Sequence, residues 1–536
     1  MSRGPASLPT HPDQRDRSLF GNIAIEIGLL LLSALLFSLA FPSFLSKWGW
    51  YPFAFIAFVP LFMVVRRSGW VRIFIYGIIF GYASYALFNF WLAKFHPLSI
   101  IIVPTIYATY FLILMPLLKV ADSLFPRYGY LVQVVLWVAY EYLRTKGFLG
   151  YSYGIIGYSQ YLFTPFIQIS EVTGVWGVSL LVIFPSAFIG NALKNGWVNL
   201  RIFYREHSLE VLIYIGLFVA ALVYGSFAQV DYSDSRQWRV ALIQHNVDPW
   251  KHDYDDALDI LIRLSEQATE HDPDIVIWSE TAFVPAIDYH TRFRQNQSAY
   301  KLVKRLKAFL ADQDVPYVIG NDDGRLERLG GTKRVDYNAA LLFKDGEIVE
   351  RYWKVHLVPF TESFPFKEQL PGIYTWLKNA DTHFWEKGEE YTVFEADNVS
   401  FSTPICFEDT FGYLSRKFVR NGAEVIVNLT NDSWSHEEAA MMQHMAMSVF
   451  RAVENRRTVI RSTNGGITCT IDPNGNILDI MAPFVEGYLI SDVPIYKERN
   501  TGYTTYGDWL GVTAVTFASG LLAFGIVARI LRRNRR

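Results

Sequence analysis

Three short segments of this 536-residue chain combine residue types that can carry acyl chemistry. Ile275-Val276-Ile277-Trp278-Ser279-Glu280 ends an apolar run with a carboxylate, and Arg351-Tyr352-Trp353-Lys354 ends another with an amine. Ser402-Thr403-Pro404-Ile405-Cys406-Phe407-Glu408 delivers a thiol into a turn. A thiol that attacks a carbonyl needs a base for its proton and positive or N–H groups for the oxyanion that forms. Glu280 can serve as the base, Lys354 as the cation and the Phe407 backbone N–H as a second oxyanion donor. Taken singly, each residue has a plainer reading: a cysteine ending a strand is commonly a small buried hydrophobe, and a charge at a strand end is commonly solvated. Cys406 and Cys469, the two cysteines, are too few for a disulfide scaffold and form no CxxC pair, which argues against a thiolate zinc site. A Cys406–Cys469 disulfide stays open as an alternative.

These segments must be positioned by the elements around them. From residue 238 the pattern is one of short β-branched runs between polar helical stretches, which predicts an α/β domain. Strands are expected at 238–246, 274–280, 316–320, 338–344, 349–354, 400–406, 424–429, 458–463 and 467–472, and helices at 252–271, 297–313, 409–421 and 435–456. Lys344-Asp345-Gly346 and Asp472-Pro473-Asn474-Gly475 read as hairpin turns, because Gly and Asn tolerate positive φ. In such sheets, strand ends are where side chains converge on a ligand crevice.

The flanks are different. The chain is 51% hydrophobic and 19% charged, and its formal net charge of -2 divides into +7 over residues 1–228, -14 over 229–509 and +5 over 510–536. A basic, apolar frame around an acidic domain argues against nucleic-acid binding, which places Lys and Arg on the folded domain. Seven membrane spans are expected at 22–41, 51–65, 71–91, 98–119, 129–145, 173–192 and 209–228, with an eighth at 510–530. The leading Pro-rich polar residues and the lack of a small-residue cleavage site argue against a removable signal peptide. Arg3, Arg15, Arg17, Arg66, Arg67, Arg72, Lys119, Arg127, Lys194, Arg201, Arg205 and the terminal arginines fall on one side, so both termini are expected in the cytoplasm and residues 229–509 outside it. Glu26, Glu141 and Glu171 lie near span ends, where a hydrogen-bonded structural role is the plainer reading and an intramembrane functional acid the alternative.

The text around the three segments is more specific than the segments themselves. IVIWSETAF, RYWKVHLVPFTESFP, PICFEDTF and NLTNDSWSHEEAAMMQHMAMSVFRAVENRRTVIRSTNGGIT together resemble the nitrilase superfamily, and Glu280, Lys354 and Cys406 stand in that superfamily's order, 74 and 52 residues apart. With the flanking spans, essentially the whole chain resembles the membrane-embedded apolipoprotein N-acyltransferase family. The resemblance implies a multi-span α-helical membrane domain (1–228), an extracytoplasmic αββα sandwich (229–509) and a final span with a basic tail (510–536). It implies Cys406 as nucleophile, Glu280 as general base and Lys354 as oxyanion stabiliser, with Glu362, Phe407, Glu408 and Trp250 as supporting residues. In the plainer alternative reading Phe407 is only packing, Trp250 only a membrane-interface anchor and Glu408 only a salt-bridge partner. Thr361, Ser363, Phe407 and Thr468 depart from the family's usual residues, which bears on the pocket lining rather than on the reaction.

The implied reaction moves an acyl chain from a phospholipid, with phosphatidylethanolamine the expected donor, through a Cys406 thioester to the α-amine of a lipoprotein's N-terminal diacylglyceryl-cysteine. It needs no metal or organic cofactor, and the resemblance implies a monomer in a bacterial inner membrane with its catalytic domain in the periplasm. Residues 359–378 combine Phe360, Phe364, Phe366, Leu370, Ile373, Tyr374, Trp376 and Leu377 with Pro and Gly, and read either as a flap that dips into the bilayer interface or as domain core. The rival readings are a membrane-anchored amidase with water as acceptor, and a transporter or scaffold whose nitrilase-like site is dead.

Overall fold

The computed structural model describes residues 12–95, 97–193, 200–248, 254–326, 334–379 and 384–534. Among them, six helices are long and apolar enough to cross a membrane: Phe20–Ala40, Trp70–Phe88, Ser99–Leu124, Val175–Ala192, Ser208–Ala228 and Trp509–Asn534. The other two expected spans are shorter. The segment expected at 51–65 divides into a 3-10 turn, Tyr51–Phe55, and the nine-residue helix Val59–Arg67, each with a proline in its first turn. That expected at 129–145 is the fifteen-residue helix Gly129–Leu143. At 1.5 Å per residue these helices reach roughly 14 and 22 Å, short of the ~30 Å hydrocarbon core. The helices Trp70–Phe88 and Ser99–Leu124 pack tightly because Gly77 and Gly81 face the partner backbone. A Cβ at Gly77 would lie 2.4 Å from the Phe111 carbonyl oxygen, so the small-xxx-small spacing is sterically required.

Twelve strands among the described residues build the α/β domain: β1 (Gln237–Gln244), β2 (Ile275–Trp278), β3 (Tyr317–Leu326), β4 (Arg334–Lys344), β5 (Glu347–Trp353), β6 (Val393–Ala396), β7 (Val399–Ser402), β8 (Val425–Thr430), β9 (Thr458–Thr463), β10 (Cys469–Ile471), β11 (Ile477–Ile480) and β12 (Gly487–Pro494). They form two six-stranded sheets, β12-β1-β2-β3-β4-β5 and β11-β10-β9-β8-β7-β6. Each has three parallel strands at its centre, β1–β3 or β7–β9, and antiparallel neighbours outside.

Side-chain alternation explains the layering. Along β1, Val240 and Leu242 join Phe394, Phe401, Val425 and Val427 in the core between the sheets. Their neighbours Ala241 and Ile243 face the other way, onto Leu258, Leu261, Leu302 and Leu306 of the helices Tyr254–Thr269 and Gln297–Ala311. The helices Gly412–Arg420 and Glu438–Asn455 contribute Leu414, Phe418, Met441 and Phe450 to the other layer. The result is the expected αββα sandwich. Both predicted hairpins are present: Asp345 and Gly346 take φ of 51° and 73° between β4 and β5, and Gly475 takes 85° between β10 and β11.

The sandwich rests on one end of the helical region. Gln443 donates to the carbonyls of Pro42 and Phe88 and accepts from the Trp91 indole, and Glu454 accepts from the Val175 N–H. The opposite end is held separately, by an Arg66–Asp122 pair, by Lys119 Nζ on the Val65 carbonyl and by Arg72 on Glu26. Glu171 accepts from Arg456 Nε at 2.5 Å and also from Arg499 and the Tyr224 hydroxyl, while Arg456 Nη1 donates to Gln168, Pro473 and Asn474. Glu26, Glu141 and Glu171 all have protein hydrogen-bond partners. Glu171→Ala, by leaving the buried Arg456 charge unpaired, is expected to cost about 3–5 kcal/mol in detergent-solubilised unfolding, whereas Arg499→Ala, at a half-exposed partner, costs less than about 1 kcal/mol.

Candidate active site

Glu280 leaves the end of β2 through Ser279 and Thr281, in a path that brushes β3. It passes because position 320 is glycine, where a Cβ would sit 2.1 Å from the Ser279 carbonyl oxygen. The Glu280 carboxylate is then fixed from three directions. Its Oε1 accepts from Asn338 Nδ2 at 2.8 Å and Lys354 Nζ at 3.3 Å, and its Oε2 accepts from the Asn431 N–H at 2.9 Å.

Lys354 follows β5, is completely buried, and donates from Nζ to Glu362 Oε1 at 2.7 Å. Glu362 Oε2 in turn accepts from the Val358 N–H at 2.8 Å. Burial by itself would lower the pKa of Lys354, but Glu362 and Glu280 overcome it and hold the ammonium above its ordinary value. Burial pushes the Glu362 carboxyl up, Lys354 opposes this and Glu280 adds to it. A buried cation is thus held between two carboxylates.

Cys406 opens the 3-10 turn Cys406–Thr410 with φ of 51°, a left-handed conformation that costs a non-glycine residue on the order of 1–3 kcal/mol. The elbow is braced by Asn428, whose Nδ2 donates to the carbonyls of Pro404 and Cys406, both at 3.1 Å. Burial, then the Glu280 charge, hold the thiol well above its ordinary pKa, and Lys354 opposes them. The resting group is therefore a thiol. Both cysteines are free, so no Cys406–Cys469 disulfide forms.

The supporting residues separate by role. Glu408 accepts from the Tyr352 hydroxyl and from the N–H groups of Ile405, Val355 and His356, each of the three backbone bonds at 2.8 Å. It ties the exit of the lysine strand to the cysteine turn, although burial still raises its pKa to about 7. Phe407 is buried, with its ring packed against His356, Phe411, Tyr151 and Tyr153. Trp250 lies outside the described residues. In the expected flap, Phe360, Phe366, Leu370, Ile373 and Trp376 are exposed while Phe364 is buried, so most of its apolar side chains are not domain core. Phe148, from the segment joining two membrane-region helices, packs on Phe360 and Phe366.

Several neighbours carry no signal in the sequence reading. Asn338 and Asn431 orient Glu280, and Tyr352 and Asn428 brace the turn. Behind them, Asp409, Asp432, His444, Ser448 and Arg461 form a buried cluster. All but Asn338, Tyr352 and Asp409 stand in the block from NLTNDSW to IRSTNGG, but only the fold says which of its polar residues face inward.

The carbon-nitrogen hydrolase profile matches residues 239–503, and that for the apolipoprotein N-acyltransferase N-terminal domain matches residues 33–188. The chain is 42% identical to apolipoprotein N-acyltransferase 1 of Treponema denticola, over 95% of this chain and 98% of that protein. The chain belongs to the apolipoprotein N-acyltransferase family. Other similar members of the apolipoprotein N-acyltransferase family are that of Treponema pallidum, at 40% identity over 95% of this chain and 97% of the relative, and that of Geobacter metallireducens, at 30% over 92% and 94%. Among solved structures, an amidase from Nesterenkonia is similar, at 20% identity and a TM-score of 0.37, covering 51% of this chain and 97% of the amidase. The chain is thus a multi-pass membrane enzyme of the apolipoprotein N-acyltransferase family with a nitrilase-like sandwich.

The buried cluster gives a pH prediction. Burial would lower the His444 pKa, but Asp409 and Asp432 raise it from 6.5 to about 9. A raised folded-state pKa gives stabilisation that is complete below pH 6.5 and lost as the pH climbs through about 9. The difference in unfolding temperature between the unsubstituted chain and His444→Gln should therefore be largest below pH 6.5 and shrink toward pH 9.

Proposed function

We propose that the chain transfers an acyl group from a phospholipid, through a thioester on Cys406, to the α-amine of the diacylglyceryl-cysteine that begins a lipoprotein. The reading is carried by one observation: Glu280 and Lys354 are hydrogen-bonded to each other, and the end of β8 that braces the Cys406 turn through Asn428 also holds the Glu280 carboxylate through the Asn431 N–H. In the first step Glu280 takes the thiol proton as sulfur attacks the phospholipid ester carbonyl. Lys354 and the Phe407 N–H hold the oxyanion, and the collapse of the tetrahedral species expels the lysophospholipid alkoxide, which takes the proton from Glu280. In the second step the acceptor amine attacks the thioester, Glu280 removes its proton, and the departing thiolate recovers a proton from Glu280. No metal or organic cofactor enters either step.

Glu362 keeps Lys354 charged and aimed, and Glu408 holds the cysteine turn against the lysine strand. The exposed apolar side chains of 359–378 serve as a flap at the bilayer surface, where they admit acyl chains and keep water from the thioester. We assign residues 1–228 and 510–536 to the membrane and 229–509 to the periplasmic face of a bacterial inner membrane, with both termini cytoplasmic. The arginine-rich connections support this orientation, as does the seating of the sandwich on the helix ends opposite Arg66, Lys119 and Arg72. Phosphatidylethanolamine is the proposed donor, and the chain works as a monomer.

The test is intact-mass spectrometry of the purified chain after incubation with phosphatidylethanolamine. A fatty-acyl adduct on Cys406 is expected, absent in Cys406→Ser and discharged by a diacylated lipopeptide. Turnover of small amides with no lipid adduct would instead identify an amidase. Lys354→Met should slow adduct formation at least about a hundredfold, as loss of an oxyanion donor does elsewhere. Replacing Phe360, Phe366 and Trp376 together by serine should raise the half-saturating phospholipid concentration about tenfold or more, through lost apolar contact, and leave alkylation of Cys406 by iodoacetamide unchanged.

A further inference from the structure

The charged cluster behind the cysteine turn has no part in the steps above, yet it joins the two loops that those steps require. Asp409 lies on the turn that Cys406 opens. Asp432 directly follows Asn431, whose N–H holds Glu280 Oε2. His444, from the helix Glu438–Asn455, bridges them: Nε2 contacts Asp409 Oδ1 at 2.7 Å and Nδ1 contacts Asp432 Oδ1 at 3.0 Å. An imidazole with a carboxylate at each nitrogen is a donor at both, and therefore a cation.

Arg461 of β9 closes the ring on the far side, donating to Asp409 Oδ2 at 2.6 Å, to Asp432 Oδ2 at 3.1 Å and to Ser448 Oγ at 2.7 Å. Ser448 also donates to Asp409 Oδ2, and Thr430 to Asp432 Oδ1. The ring of Tyr153, from the segment between two membrane-region helices, lies 6.1 Å from that of His444. Two anions and two cations leave this buried cluster neutral, which allows it to sit in the core without forcing either loop outward.

We propose that His444 is a positioning residue for acyl transfer: as an imidazolium shared by Asp409 and Asp432, it sets the spacing between the Cys406 thiol and the Glu280 carboxylate. The proposal rests on the assignment of Cys406 as nucleophile and Glu280 as base. Removing the cation leaves a net buried negative charge between the two loops, which drives them apart. It also strengthens the field at a thiol already subject to Asp432. Neither effect touches the surface that binds lipid.

The experiment uses the full chain in detergent with phosphatidylethanolamine, following the Cys406 acyl adduct by rapid quench and intact mass. His444→Gln is expected to slow adduct formation at saturating phospholipid at least about tenfold, with the half-saturating concentration changed less than about twofold. Alkylation of Cys406 by iodoacetamide should slow in parallel. An unfolding temperature that falls while both rates stay at the unsubstituted value would overturn the proposal and leave a structural role. Ser448→Ala keeps all four charges but loosens Asp409, and should slow the same step about two- to fivefold. If His444→Gln does not fold, an unchanged rate in Ser448→Ala overturns the proposal. Should the unsubstituted chain form no adduct, the acyl-enzyme assignment fails by itself, and the alkylation rates of the unsubstituted and substituted chains decide the His444 bridge separately.

Discussion

A buried ammonium between two carboxylates is the constraint on which the rest of this site depends. Lys354 is completely removed from water, and an unpaired cation there would be far too costly to persist. Glu280 and Glu362 make its charge tolerable, and each is itself fixed by a backbone N–H, from Asn431 and Val358. Three chain segments are thereby locked to one point, with the thiol beside them. The ammonium is thereby charged and aimed before any substrate arrives, which is the preorganisation that the proposed oxyanion role of Lys354 calls for.

The cysteine elbow shows how strain is stored and contained. Cys406 takes a left-handed conformation, and its surroundings over-determine it: Asn428 holds the two carbonyls of the turn, and Glu408 gathers donors from both sides of the cleft. A carboxylate with this many donors works as a clamp rather than as a proton carrier. The same economy of buried charge recurs at the junction of the sandwich with the helices, where Glu171 and Arg456 neutralise each other and fasten the two parts together. Buried ion pairs add little net stability, but they specify one arrangement, because any other strands a charge in the core.

The α/β domain was legible where hydrophobic runs were long and bounded by turns. The expected strands at 458–463 and 424–429 match β9 and β8 to within a residue. The strands without an expectation, β6, β11 and β12, are short or depend on distant partners; β12 forms by pairing with β1 almost the whole domain away in sequence. The two short membrane-region helices differ for a related reason. Apolar content marks a residue as fit for lipid or core but does not say how many residues the helix will keep, and prolines start new turns at 52 and 60. Glu280, Lys354, Cys406 and Glu362 could be picked out from residue type and surrounding text, and the fold brings all four together.

The sequence by itself determined the chemical inventory and the family: a carboxylate, an amine and a thiol in a set order, within an acidic domain flanked by basic, apolar spans. Residue type and local order suffice for that. Only the tertiary structure decided which neighbours act on those groups. Asn338, Asn431, Asp409, Asp432 and His444 come from different strands, turns and helices, and their hydrogen bonds exist only after two sheets have stacked. Polar residues in a sequence look alike, whereas in a fold burial removes water as a partner and obliges each of them to find another.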